Sequence, residues 1–184
     1  MIGEDGRLIT SQFIDFTHSN ERYVYITSEI AFEIGSLAET ARLVLYTLDR
    51  FGRTIYQTSV DLILLQMGSS DINQPVIEME PYMISKPWEG ATVRGGVMTV
   101  EGQVRLVNDQ PLIIELFDEQ GNLVGSAEAQ LEQPNELQAY VPFTMYVPYS
   151  VTKWTPVRLT ARQMSATRIP GTVWLSSVKL YLEP

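Results

Sequence analysis

This 184-residue chain contains no cysteine and a single histidine. Without thiols there is no disulfide, no thiolate zinc site and no thiol nucleophile. One imidazole and no thiolate give no basis for expecting a transition metal, and no cofactor is expected. Basic residues are also sparse, 13 Lys and Arg against 22 Asp and Glu, for a net charge of −9. They are scattered, so the clustered cations that displace counterions from phosphate are missing and nucleic acid is not an expected partner. No apolar run approaches the ~18 residues that cross a bilayer. The longest, at 62–65, is far too short, so membrane attachment is expected only through an anchor outside these residues.

The motifs of catalysis are missing as well. His18 has no Gly-x-Ser-x-Gly elbow to supply a nucleophile, so it reads as a polar loop residue. Glu78, Glu80, Asp15 and Glu101 are the candidates for a carboxylate pair, but nothing around them marks a sugar-cleaving site. Asn108-Asp109-Gln110 and Ser69-Ser70-Asp71-Ile72-Asn73 are the richest oxygen loops. Neither follows the Asp-x-Asp-x-Asp-Gly spacing of a calcium loop, and both suit ordinary turns. Gly90 and Gly95-Gly96 lack the Gly-Lys-Ser/Thr that completes a phosphate loop. No enzyme is expected.

Helical periodicity is almost absent. Ser36-Leu37-Ala38-Glu39-Thr40-Ala41-Arg42 is the best helical stretch, and at that length a loop is the expectation. Period-two alternation is what the chain has instead. Ala139, Val141, Phe143, Met145 and Val147 alternate with Tyr140, Pro142, Thr144 and Tyr146, and Val157-Arg158-Leu159-Thr160-Ala161-Arg162 alternates cleanly. Such segments, punctuated by Gly, Pro, Asn and Asp, predict an all-β sandwich. Strands are expected at 8–16, 22–27, 30–34, 41–49, 54–65 and 76–84 in the first half. In the second they are expected at 97–107, 112–118, 122–132, 137–147, 157–164 and 172–182. Pro142 and Pro148 lack a ladder donor, which places their strand at a sheet edge.

One pattern occurs twice. Leu43-Val44-Leu45-Tyr46-Thr47-Leu48-Asp49-Arg50-Phe51-Gly52 is followed by Ile55, Val60 and Leu62. Leu112-Ile113-Ile114-Glu115-Leu116-Phe117-Asp118-Glu119-Gln120-Gly121 is followed by Val124, Ala129 and Leu131. Asp49 and Asp118 stand 69 residues apart, as do Gly52 and Gly121. Each copy reads as a β-hairpin whose Asp bonds the turn backbone and whose Gly accepts positive φ, so a duplicated module is expected.

The second half carries further marks: Ile84-Ser85-Lys86-Pro87-x-x-Gly90-Ala91-x-Val93, then Val100-Glu101-Gly102-Gln103-Val104, the hairpin from Leu112 to Val124, Phe143-x-x-x-Val147-Pro148-Tyr149, and Val178-Lys179-Leu180. Over 84–182 this resembles the immunoglobulin-like domain of bacterial spore-germination lipoproteins and related cell-envelope proteins. The first half matches at its hairpin and at Gly35-Ser36-Leu37 against Gly102-Gln103-Val104. The resemblance implies an exported, non-catalytic immunoglobulin-like module. Met1–Gly6 has neither a basic nor an apolar leader region, so the chain is either cytoplasmic or a mature form whose export signal or anchor has been removed. The resemblance favours the second.

The resulting expectation is all-β: two tandem immunoglobulin-like β-sandwich modules, 1–83 and 84–184, joined by a short linker near Ser85-Lys86-Pro87-Trp88-Glu89-Gly90. Function is expected to be an interaction or spacer role at the cell envelope or exterior. Loop aromatics are the candidate surface for a protein or cell-wall glycan partner, with Trp154 and Trp88 beside prolines and Trp174 on the apolar side of its strand. A third expectation is a subunit of a surface filament or layer, oligomerising through an edge strand or the arm Met1–Arg7.

Overall fold

The computed structural model describes residues 1–15, 27–69, 80–134 and 139–184. These form eleven strands in two sheets and no helix. The strands are β1 Ile2–Gly3, β2 Ala38–Leu48, β3 Thr54–Leu65, β4 Tyr82–Lys86, β5 Thr92–Val93, β6 Val97–Val104, β7 Leu112–Asp118, β8 Leu123–Ala129, β9 Val141–Pro148, β10 Thr155–Met164 and β11 Thr172–Leu182. The larger sheet runs β1-β2-β3-β11-β10-β7-β8, with β5 beside β11, and the smaller runs β4-β6-β9.

The core lies between the small sheet and the β11-β10-β7-β8 part of the large one. Leu112, Ile114 and Leu116 alternate inward from β7, as do Val157, Leu159 and Ala161 from β10. Opposite them stand Met98, Val100, Phe143, Met145 and Val147. Each fully buried side chain of this size contributes roughly 1.5–3 kcal/mol. A single polar group crosses the core's end. Gln163 is fully buried, accepts from the Tyr82 hydroxyl at 3.0 Å and donates to the Asn108 and Gln110 carbonyls. Each of its buried polar atoms is thereby satisfied.

The described residues of the first half contribute β1, β2 and β3 to the large sheet. The hairpin β2–β3 extends that sheet, and a single ladder pair, Leu175 with Gln57, joins it to β11. Among the described residues no second sheet covers this hairpin. The arm folds back on its own chain: Ile2 and Gly3 pair with Arg42 and Ala41, and the Met1 ammonium donates to the Thr10 carbonyl at 2.6 Å.

Strands 54–65, 112–118 and 172–182 agree residue for residue with the alternation. Β9 is an edge strand, as its two prolines require. Three expectations are corrected. Residues 9–15 and 30–34 form no strand, and Leu8 makes only an isolated bridge to Ile2. Strand propensity without a ladder partner leaves these segments irregular. Strand β2 starts at Ala38 rather than after a loop, because β3 offers Leu65 as its partner there. Residues 22–26 of the expected strand at 22–27 and 76–79 of that at 76–84 lie outside the described residues, and 82–84 fall in β4.

The paired glycines also part company. Gly102 sits in mid-β6, where a Cβ would run into the Met83 carbonyl and stand 2.7 Å from the Phe143 ring. Gly35 is in coil with nothing within 4 Å of such a Cβ. Gly102→Ala is therefore expected to lower stability by about 1–3 kcal/mol through overpacking. Gly35→Ala should stay within about 0.5 kcal/mol. Thermal melts followed by circular dichroism decide it, and equal melting temperatures would refute the close-approach role of Gly102.

Candidate functional site

Two features stand out on the surface. The first is an aromatic corner at the end of β11. Leu180 and Leu182 point into the core, so Tyr181 lies on the sheet's outer face. The Trp154 ring stacks on the Tyr181 ring at a centroid distance of 4.6 Å and 17° between planes. With one face on Tyr181 and the side chain 53% exposed, the other face of Trp154 is open to solvent. The turn of Trp88 reaches the same stretch from the strand's edge. The Gly90 N–H donates to the Lys179 carbonyl at 2.8 Å and the Tyr181 N–H to the Ala91 carbonyl at 2.9 Å. Gly90 has φ of 79°, which the turn closing Ala91 onto the Trp88 carbonyl requires. Trp88 is 68% exposed. The turn that carries Trp88 and the Trp154 ring thus meet the same stretch of β11, at 179–181, while Trp174 packs against the core. Sequence reading missed Tyr181. Its place on the outer face follows from the alternation with Leu180 and Leu182, but not its pairing with a loop residue 27 positions away.

The second feature is the pair of Asp-x-x-Gly turns. In the first, the Asp49 carboxylate accepts from the N–H groups of Phe51 at 2.8 Å and Arg53 at 3.0 Å. In the second, Asp118 accepts from Gln120 at 2.9 Å and Asn122 at 2.8 Å. The carbonyl of each Asp also accepts from its Gly, and each hairpin carries a bulge one residue before the Asp. The two turns meet in space. Arg53 donates to the Asp118 carbonyl at 2.7 Å and Arg50 pairs with Glu119 at 3.1 Å. Asp49 is further enclosed by Arg158, buried on the outer face of β10, whose Nε lies 3.8 Å from the carboxylate. Burial raises the Asp49 pKa, but hydrogen bonds from the Arg53 backbone and side chain and the Phe51 N–H outweigh it and hold the carboxyl at about 2. Asp118 shifts down likewise, burial opposing and the bonds from Asn122 prevailing.

The hairpin that bears the first turn exposes apolar side chains on both faces. Leu45, Tyr46 and Leu48 of β2 and Val60, Ile63 and Leu65 of β3 are all exposed. Near its far end an open depression of about 430 Å³ is lined by Phe32, Glu33, Ile34, Leu65 and Gln66. The unbroken apolar run of 43–46 in β2 is the sequence signal that this strand does not alternate in and out.

The remaining candidates do not converge. Glu101 is paired with Lys86 at 2.9 Å and Asn108 closes its own turn by accepting from the Gln110 N–H at 2.9 Å. Among the described residues no three His, Asp or Glu side chains form a metal-binding group. His18, Glu78 and residues 70–73 lie outside the described residues. No family model matches the chain, and no curated protein matches it either.

The depressed Asp49 carboxyl gives a pH dependence. A folded-state value near 2 against 3.8 contributes stability that is complete above the ordinary value and lost as pH falls from 3.8 towards 2. Asp49→Asn should therefore lower stability at pH 7 and flatten the acid limb of the curve between those values. Asp118→Asn should cost less, because no buried arginine faces it. Equal losses for the two variants in urea titrations would refute the special burial of the first turn.

Proposed function

We propose that this protein is a non-catalytic interaction module of the bacterial cell envelope or exterior, built on a duplicated immunoglobulin-like plan. In this reading 84–184 is the complete immunoglobulin-like sandwich and 1–83 its divergent copy. What supports the interaction role is the apolar surface of β2–β3: a spacer gains nothing from exposing both faces of a hairpin, and such patches mark contact sites. The likeness of 84–182 to the spore-germination domains supports the location. A photo-crosslinking residue placed at Ile63, 74% exposed, tests the role in the native host. Adducts are expected there and not from the same residue at Thr99 on the small sheet. Absence of adducts at both positions would favour a spacer.

A second reading is carbohydrate binding, favoured by the open face of Trp154. A flat indole backed by a stacked phenol suits the apolar face of a pyranose ring. On an array of cell-wall glycans a signal is expected that falls at least tenfold in Trp154→Ala. A signal that persists undiminished in that variant removes the corner as the sugar site.

A further inference from the structure

We propose that the free edge of β2 docks a second copy of this chain, β2 against β2, antiparallel about a two-fold axis. The proposal deepens the interaction-module reading and rests on it.

The duplication says what kind of element fills such an edge. Residues 43–49 correspond, at the 69-residue offset, to Leu112–Asp118. In the second copy β10 pairs with every one of those residues, from Val157 opposite Asp118 to Gln163 opposite Leu112. In the first copy β1 takes only Ala41 and Arg42. Among the described residues no strand pairs with that edge of β2 beyond Arg42. Unpaired N–H and C=O groups in a row are a template for another strand. Two other edges of the fold are guarded: β9 by Pro142 and Pro148, and β8 by the Gly125–Tyr149 bridge and the Ser150 N–H on the Val124 carbonyl. Leu43-Val44-Leu45-Tyr46-Thr47-Leu48 carries no Pro, no Gly and no charge.

A second copy fits this edge without modification. In an antiparallel pair about a two-fold axis, opposed side chains share a face, so one residue must stand opposite itself. Centring on Tyr46 puts Leu45 opposite Thr47, Val44 opposite Leu48 and Leu43 opposite Asp49. That register uses the whole open edge, opposes no like charges within it, and stops at Arg42 where β1 begins. The contact is isologous and closes at two copies, so the edge does not propagate into fibres. The apolar side chains on this edge that the pairing brings together are Leu45, Tyr46 and Leu48, each 46–55% exposed.

Sedimentation equilibrium of the purified chain over a concentration series tests this, with Tyr46→Lys, Tyr46→Glu and Leu48→Lys as variants and circular dichroism as the folding control. The parent should form a dimer. Each folded variant should weaken it at least tenfold, and an equimolar mixture of Tyr46→Lys with Tyr46→Glu should recover a heterodimer, because the two-fold places position 46 opposite itself. A parent that stays monomeric at about 100 μM, a tenth of the concentration matching −4.1 kcal/mol, overturns the proposal. So does a dimer indifferent to all three substitutions, a mixed pair that stays monomeric, or growth beyond two copies. Failure here with adducts to another protein at Ile63 would leave the interaction reading standing and remove only the self-pairing.

Discussion

The acceptance of two backbone N–H groups by one aspartate carboxylate, made once at Asp49 and again at Asp118, is the constraint on which the arrangement depends. Each set fixes a turn with a glycine at positive φ and a bulge beside it, and so fixes the register of its hairpin. A slip of one residue would exchange the two faces of every strand. The register of β7–β8 is what delivers Leu112, Ile114 and Leu116 to the core. The register of β2–β3 is the same pair for pair, with Leu43 opposite Val60 as Leu112 is opposite Ala129. Identical local chemistry thus yields one hairpin that is packed and one that is not.

What separates them is how each is attached. The second hairpin is held by apolar burial against the small sheet and by the full β10 ladder. The first is held by polar side chains. Arg42 donates to the Ile169 carbonyl at 3.0 Å and pairs with Asp61 at 2.7 Å. Ser59 donates to the Val173 carbonyl at 2.9 Å, Gln57 to that of Thr172, and Ser177 to that of Ile55 at 2.7 Å. At the tip Arg53 reaches the Asp118 carbonyl. These bonds orient the hairpin without consuming its apolar side chains. Each contributes about 1 kcal/mol net, so the attachment is a sum of modest terms rather than a core.

Much of the second half was legible because its alternation matches its burial. Val157, Leu159 and Ala161 alternate with Arg158, Thr160 and Arg162: the first set enters the core, and on the other face Arg158 and Thr160 are buried too while Arg162 pairs with Glu115 at 2.7 Å. The hairpins were legible from turn chemistry alone. A duplicated hairpin specifies its own register but not the sheet that covers it. Residues 30–34 have strand-forming composition and no ladder. At the aromatic corner the residues Trp88 and Trp154 were visible as loop aromatics, whereas Tyr181 was not, because its stacking joins a loop to a strand far along the chain.

The composition of β2 bears on why its hairpin stands open. Leu43 and Leu45 lie on one face, Val44, Tyr46 and Leu48 on the other, so the strand is apolar on both. That pattern belongs to strands with neighbours on each edge and layers on each face, not to the rim of a sheet. It also removes the usual protection against slippage, since either face would serve as the buried one. Register control therefore falls on the Asp49 turn at one end and on the Arg42–Asp61 and Arg7–Glu39 pairs at the other. A strand composed for the interior is thus pinned by polar contacts at both ends while Leu45, Tyr46 and Leu48 stay exposed at the surface.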